Sequence, residues 1–316
     1  MRPLTFLAAA LTLMLSAAAA TAADLQVFTL DARRQSATVT VPAAAARLAV
    51  ADLASLDILD RLGLGDRVVA MSKASRVDYL SRYFDDPKIA NIGTLKELDP
   101  EKLMQARPDI IFISGRLASS MERLSKIAPV IYLGIDYGQP FLDNVAHNAR
   151  VIASIYSQEE RVSSLLSGLQ ERVEAIRAKA AGTTAVVGLT TAGNFKTLGN
   201  DGRCGMIGGS LGFDNVAAGI TATHGNESSF ELLVKLNPEY VFVLDRDSAI
   251  SRPGAQLARD LMDNELVHTT RAWQHSHIHY LTPSVWYLAE GGITATSVML
   301  ADIEAALGLE SPAYAP

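Results

Sequence analysis

Arg116 and Arg246 are the first residues in this chain whose type and spacing suggest chemistry. Each stands eight residues after a proline, Pro108 and Pro238, and each proline stands seven residues after a glutamate, Glu101 and Glu231. The matched stretches read "RPDIIFISGR" and "NPEYVFVLDR". An arginine offers a planar, permanently charged group with several fixed N–H donors, which suits an oxygen-rich anion. A lone arginine more often makes an ordinary surface ion pair, but two placed alike argue for a shared task. Arg203 is a third cation, in the glycine-rich loop "GNDGRCG", where exposure is expected. That loop matches neither the phosphate-loop nor the dinucleotide spacing.

Other chemistry-bearing residues read less sharply. Cys204 follows Arg203, which could lower its pKa, but the sequence supplies no base and orienting group for a nucleophile. His275, His277 and His279 in "HSHIHY" alternate, and in a strand they would share a face able to bind a divalent metal. The plainer reading, an exposed strand face or turn, is preferred. Asp245 and Asp247 flank Arg246 but are too isolated to suggest a glycosidase pair.

The elements that must position these residues follow from the apolar pattern. Leu48 to Val50 and Val68 to Met71 read as buried strands around a helix that carries Leu56, Leu59 and Leu62, with Asp52 or Ser55 as its cap. That strand–helix–strand unit builds parallel sheets. In the repeats, short helices end at the prolines, and mostly apolar strands follow over Ile110 to Ile113 and Tyr240 to Leu244. Both arginines then fall just past the carboxyl ends of strands, where open α/β sheets gather ligands. Val27 to Leu30 and Thr38 to Val41 suggest a short hairpin.

Between the repeats, residues 141–180 carry helical periodicity. Ser157 with Glu160 reads as a capping box, and Gly182 as the stop, of a helix about 36 Å long. The expected fold is therefore α/β, with two similar lobes whose central parallel-type sheets are flanked by helices, joined by a long rigid helix. The expected divisions are a signal peptide over 1–22, an N-terminal lobe over 23–145, a connecting helix over 146–182 and a C-terminal lobe over 183–316. A stiff connector argues against wide hinge motion.

Composition bounds the rest. Of 316 residues, 49% are apolar and 20% charged, which describes a globular chain with a large core; the net charge of −6 argues against nucleic acid as a partner. Arg2, the apolar run Leu4 to Leu15 and Ala20-Thr21-Ala22 read as an export signal cleaved before Ala23. Cys204 is the one cysteine, far from that site, so neither a disulfide nor a lipid anchor at the cleavage point is expected. The expected destination is the periplasm.

The chain resembles the periplasmic siderophore-binding proteins of ABC importers, a class with two lobes on a helical backbone. The particular likeness is to the catecholate branch, through "DGRCGMIGGSLGFDNV", "THGNESSFELLVKLNPEYVFVLDR" and "YLTPSVWYLAEGG". It covers nearly all of the mature chain. The resemblance implies that Arg116, Arg203 and Arg246 hold an anionic ferric catecholate. It implies that His224 and Tyr287 complete the iron's coordination when the chelator leaves positions open. It also implies that Glu101 and Glu231 dock onto an inner-membrane ABC permease. The chemistry agrees, since ferric iron is a hard acid that favours phenolate oxygen and accepts imidazole. On this reading the protein is no enzyme, has no intrinsic cofactor, carries ferric iron only as the siderophore complex, and is a monomer. Two rivals remain open: the same scaffold binding haem, a corrinoid or a hydroxamate siderophore, and a secreted hydrolase or redox enzyme using Cys204 and the histidines.

Overall fold

A computed structural model of the chain describes residues 24–43, 45–219 and 230–311. Its first element is an antiparallel hairpin of β1 (Asp24–Leu30) and β2 (Ser36–Pro42). Next come β3 (Leu48–Val50), β4 (Val68–Met71), β5 (Ala90–Asn91), β6 (Ile110–Ile113) and β7 (Val130–Tyr132). They form one parallel sheet in the order β5-β4-β3-β6-β7. The second sheet is built from β8 (Thr184–Thr191), β9 (Asn194–Leu198), β10 (Asp214–Asn215), β11 (Tyr240–Asp245) and β12 (Ile278–Tyr280). Its order is β10-β8-β11-β12, all parallel, with β9 folded back antiparallel on β8. The two repeat strands, β6 and β11, take equivalent interior places, each one strand from an edge. Both faces of the sheets are covered, which is why all four residues of β6 are buried and apolar.

The repeat helices end by the same device. Helix Pro100–Ala106 is capped by Asp99, which accepts from the N–H groups of Glu101 (3.0 Å) and Lys102 (3.1 Å). It stops at Arg107, in the left-handed region at φ 47°; its counterpart Phe230–Leu236 is followed by Asn237 at φ 41°. A left-handed residue followed by proline cannot extend a helix.

The stretch between the sheets is two helices, Phe141–Tyr156 and Glu159–Ala180. Here the capping expectation fails. Ser157 is left-handed (φ 52°) and closes the first helix, while Gln158 stands at the start of the second and makes no side-chain cap. At 22 residues, Glu159–Ala180 is about 33 Å long. It hydrogen-bonds toward both sheets: Arg161 Nη1 donates to Leu62 O (3.1 Å) and Arg177 Nε to Ser210 O (2.9 Å).

The apolar interior has three parts. One continuous cluster runs from Leu48 and Leu56 through Val173 and Ile176 to Phe242, Trp286 and Ile303, so both halves share it. The other two clusters lie one with each sheet, around Ile111 and Ile113 and around Val241 and Val243. Asp52 is the cap of helix Leu53–Arg61, accepting from Ser55 N at 2.8 Å.

Candidate functional site

Tyr287 is the centre of the arrangement. It lies on helix Pro283–Leu288, which starts with proline at its first turn. Its neighbour Trp286 is fully buried and donates through Nε1 to Asp302 Oδ2 (2.8 Å). Asp302 also accepts from the N–H (2.7 Å) and hydroxyl (2.9 Å) of Thr282. Burial pushes the Asp302 carboxyl up, against those donors. The short helix is thereby pinned to helix Ile293–Leu307, and Tyr287 is left half-buried at its edge.

Three guanidinium groups converge on this tyrosine. Arg116 leaves the end of β6 through Ser114 and Gly115, and its Nη2 donates to Tyr287 O at 3.0 Å. Arg203 Nη1 donates to the same carbonyl at 3.0 Å and to Trp286 O at 2.9 Å. The Arg203 guanidinium carbon stands 4.4 Å from the centre of the Tyr287 ring, a cation–π distance. Arg246 Nε donates to the Tyr287 hydroxyl (2.9 Å), and its Nη1 donates to Thr191 Oγ1 (3.0 Å). Arg246 is set by Asp245, which caps the turn Arg246–Ala249 by accepting from Ser248 N at 2.9 Å.

A cleft of about 200 Å³ opens here between the halves, lined by Arg116, Arg203 and Tyr287 among others. Arg246 is not among its lining residues; it joins the site through the phenol oxygen. His224 lies outside the described residues. Glu101 and Glu231 are both exposed, each in the first turn of its repeat helix.

The site also contains residues that sequence reasoning passed over. Glu290 is nearly buried, accepts from the Tyr137 hydroxyl (3.0 Å) and faces Arg203 Nη1 at 3.4 Å. Burial raises its pKa, opposed by Arg203 and by the Tyr137 hydrogen bond. The signal was in plain view, a carboxylate followed by two glycines in the apolar run "YLAEGG". Arg34, at the tip of the β1–β2 hairpin, lines the cleft as well, with Nε donating to Tyr132 Oη at 3.2 Å.

The fold alters two rival readings. Cys204 has no exposed surface, and burial raises its thiol pKa, with Glu290 adding to the effect and Arg203 opposing it. Burial therefore outweighs the neighbouring arginine, and the expected route to a reactive thiolate fails. The three histidines do not share one strand face. Only His279 lies in β12; His275 and His277 precede it, and the rings of His277 and His279 stack on Tyr240, with ring centres 4.2 and 5.7 Å away.

Comparison with known proteins agrees with this architecture. Residues 48–285 match the family model described as periplasmic binding protein. The petrobactin-binding protein YclQ of Bacillus subtilis is 33% identical over 267 residues, 84% of this chain and 83% of that one. Its crystal structure superposes with a TM-score of 0.83, at 31% identity, covering 90% of this chain and all (100%) of that chain. The periplasmic catecholate-siderophore binding protein VctP of Vibrio cholerae superposes with a TM-score of 0.80 at 28% identity, covering 89% of this chain and 100% of that one. No helix among the described residues is long and apolar enough to cross a membrane. Two α/β halves on a helical backbone, with a cleft between them, and these matches across most of the length establish that the chain belongs to the periplasmic binding protein family.

Proposed function

We propose that this protein is a periplasmic receptor that binds a ferric catecholate-type siderophore between its halves and delivers it to an ABC permease for iron uptake. The observation that carries the reading is the gathering of Arg116, Arg203 and Arg246 around Tyr287. A ferric catecholate is anionic and rich in oxygen, and guanidinium groups in a partly dry cleft match it in charge and in donor geometry. The relatives named for petrobactin and for catecholate siderophores support the same ligand class. Within this reading His224 and Tyr287 complete the iron's coordination when the chelator supplies four donors. Arg246 holds the Tyr287 oxygen in place through its Nε.

The remaining assignments belong to the same reading. Residues 1–22 direct export and are cleaved, without lipid attachment. The lobes are 23–145 and 183–316, joined by 146–182, and the protein acts as a monomer. Glu101 and Glu231 meet basic residues of the permease, one per lobe.

Titration with the ferric bis-catechol complex tests the proposal. Wild type is expected to develop a tyrosinate-to-iron charge-transfer band that Tyr287→Phe lacks; an identical spectrum in the variant overturns ligation by Tyr287. Charge reversal at Glu101 or Glu231 is expected to reduce uptake while sparing affinity, and loss of both would assign the glutamates to folding. The haem, corrinoid and hydroxamate alternative calls for an apolar cleft with one arginine or none, and the cleft here is lined by Arg34, Arg116 and Arg203.

A further inference from the structure

The cleft of about 200 Å³ is smaller than the roughly 300–1,000 Å³ usual for small-molecule sites. Two grooves adjoin it. One, of about 490 Å³, shares Ile135, Tyr137 and the buried carboxylate of Glu290 with the cleft. The other, of about 460 Å³, shares Arg34, Tyr132, Gly134 and Ile135. A negatively charged chelate that outgrows the cleft meets a carboxylate at the first junction and a guanidinium at the second. The junctions differ in this way although the grooves beyond them do not, since Arg177 lines the first and Asp136 and Asp143 the second.

Arg34 is built into the second junction. Its backbone is left-handed at φ 62°, a conformation in which glycine or asparagine is cheaper than arginine. Asp31 fixes the turn by accepting from the N–H groups of Arg33 (2.8 Å) and Gln35 (2.9 Å). The side chain folds back so that Nε donates to the buried Tyr132 hydroxyl at 3.2 Å. It also packs over Gly115: a Cβ there would stand 3.1 Å from Arg34 Nη2. The guanidinium is thus held beside the residue that precedes Arg116, and among the described residues no carboxylate forms an ion pair with it.

We infer that Arg34 is a specificity-determining cation of the ligand site, recognising an anionic group that the chelator carries outside the iron's coordination sphere. The inference rests on the siderophore-receptor reading and narrows its substrate class to catecholates with such a group. Asp136 and Asp143 also line the Arg34 groove. A single charge at the junction fits this lining better than a long polyanionic tail.

The test uses two ferric complexes that differ by one carboxylate, the bis-catecholamide of lysine and the bis-catecholamide of cadaverine. Arg34→Gly removes the guanidinium while suiting the left-handed turn, and an unchanged melting temperature verifies the fold. In fluorescence titrations of the full chain, the variant is expected to lose about tenfold in affinity for the lysine complex and only about twofold for the cadaverine complex. Equal losses for the two, or no loss for either, overturn the role of Arg34. A wild type that binds neither complex refutes the receptor reading itself, and the inference falls with it; binding of both with the variant unaffected refutes the inference alone.

Discussion

The two halves of the molecule are joined in two ways, and the contrast separates what holds the fold from what is available to a ligand. At the helix seam, Asp57 of helix Leu53–Arg61 caps helix Ile293–Leu307, accepting from Thr294 N (2.9 Å) and Ala295 N (2.8 Å), with the Tyr79 hydroxyl as a further donor. The carboxylate has no exposed surface, and a Cβ added at Gly292 would stand 2.5 Å from its Cγ. Nearby, Arg172 of the long helix grips Glu304 through both oxygens, at 2.7 and 2.8 Å. At the cleft seam, Arg116 donates across the halves to the carbonyl of Tyr287, which also accepts from Arg203 of its own half, and Tyr137 donates across to Glu290. Both seams pair charged or polar side chains with backbone. The carboxylates of the first, Asp57 and Glu304, are buried. At the second, the arginines stay half-exposed and could exchange a carbonyl for an anionic ligand.

If this contrast is right, breaking the helix seam costs stability and breaking the cleft seam costs ligand. Asp57→Ala strands two buried backbone donors at a helix N-terminus and is expected to destabilise the protein by about 3–4 kcal/mol in denaturant titrations. Ligand affinity in the surviving folded fraction should hold. A stable Asp57→Ala protein would erase the distinction.

The same carboxyl gives the helix seam a pH signature. Burial pushes Asp57 up to about 6, against the Tyr79, Thr294 and Ala295 donors. Between roughly pH 4 and 6 the folded state keeps a proton that the unfolded state has released. The proton-linked part of its contribution is therefore fully present below the unfolded value and is lost as pH rises through about 6, a change of about 3 kcal/mol. Stability curves of wild type and Asp57→Ala should converge as pH rises through this window, and parallel curves would contradict the assignment.

The smallest expected effects compare the matched arginines within the cleft seam. Arg116→Ala is expected to reduce ferric catecholate affinity about a hundredfold, with a stability change under about 1 kcal/mol. Arg246 stands 3.5 Å from the buried Asp247 and outside the cleft lining, so Arg246→Ala should cost about tenfold. Equal losses would mean that the repeat alone sets the contribution of each arginine, whatever follows it in sequence.

Much of the fold was legible because its causes are local. The apolar runs of β3, β4 and β6 place strands where they occur. The proline after each repeat helix marks its end, and the arginine eight residues on stands just past the carboxyl end of the strand that follows. Ser157 misled because a serine followed three residues later by a glutamate resembles a helix start, yet here it bridges two consecutive helices in a left-handed turn. Arg34 and Tyr137 went unread since nothing local distinguishes them from surface residues, whereas Glu290 carried a local sign, a carboxylate before two glycines in an apolar run.

By itself the sequence determined the periodicities, the stops and the matched cations, each set by the preferences of a few adjacent residues. Only the tertiary structure decided that Arg116 and Arg203 would share the carbonyl of Tyr287, that burial would outweigh Arg203 at Cys204, and that Asp57 would cap a helix 237 residues away. Those outcomes depend on which surfaces lose water together, and desolvation is a property of the packed chain that no short stretch of residues encodes.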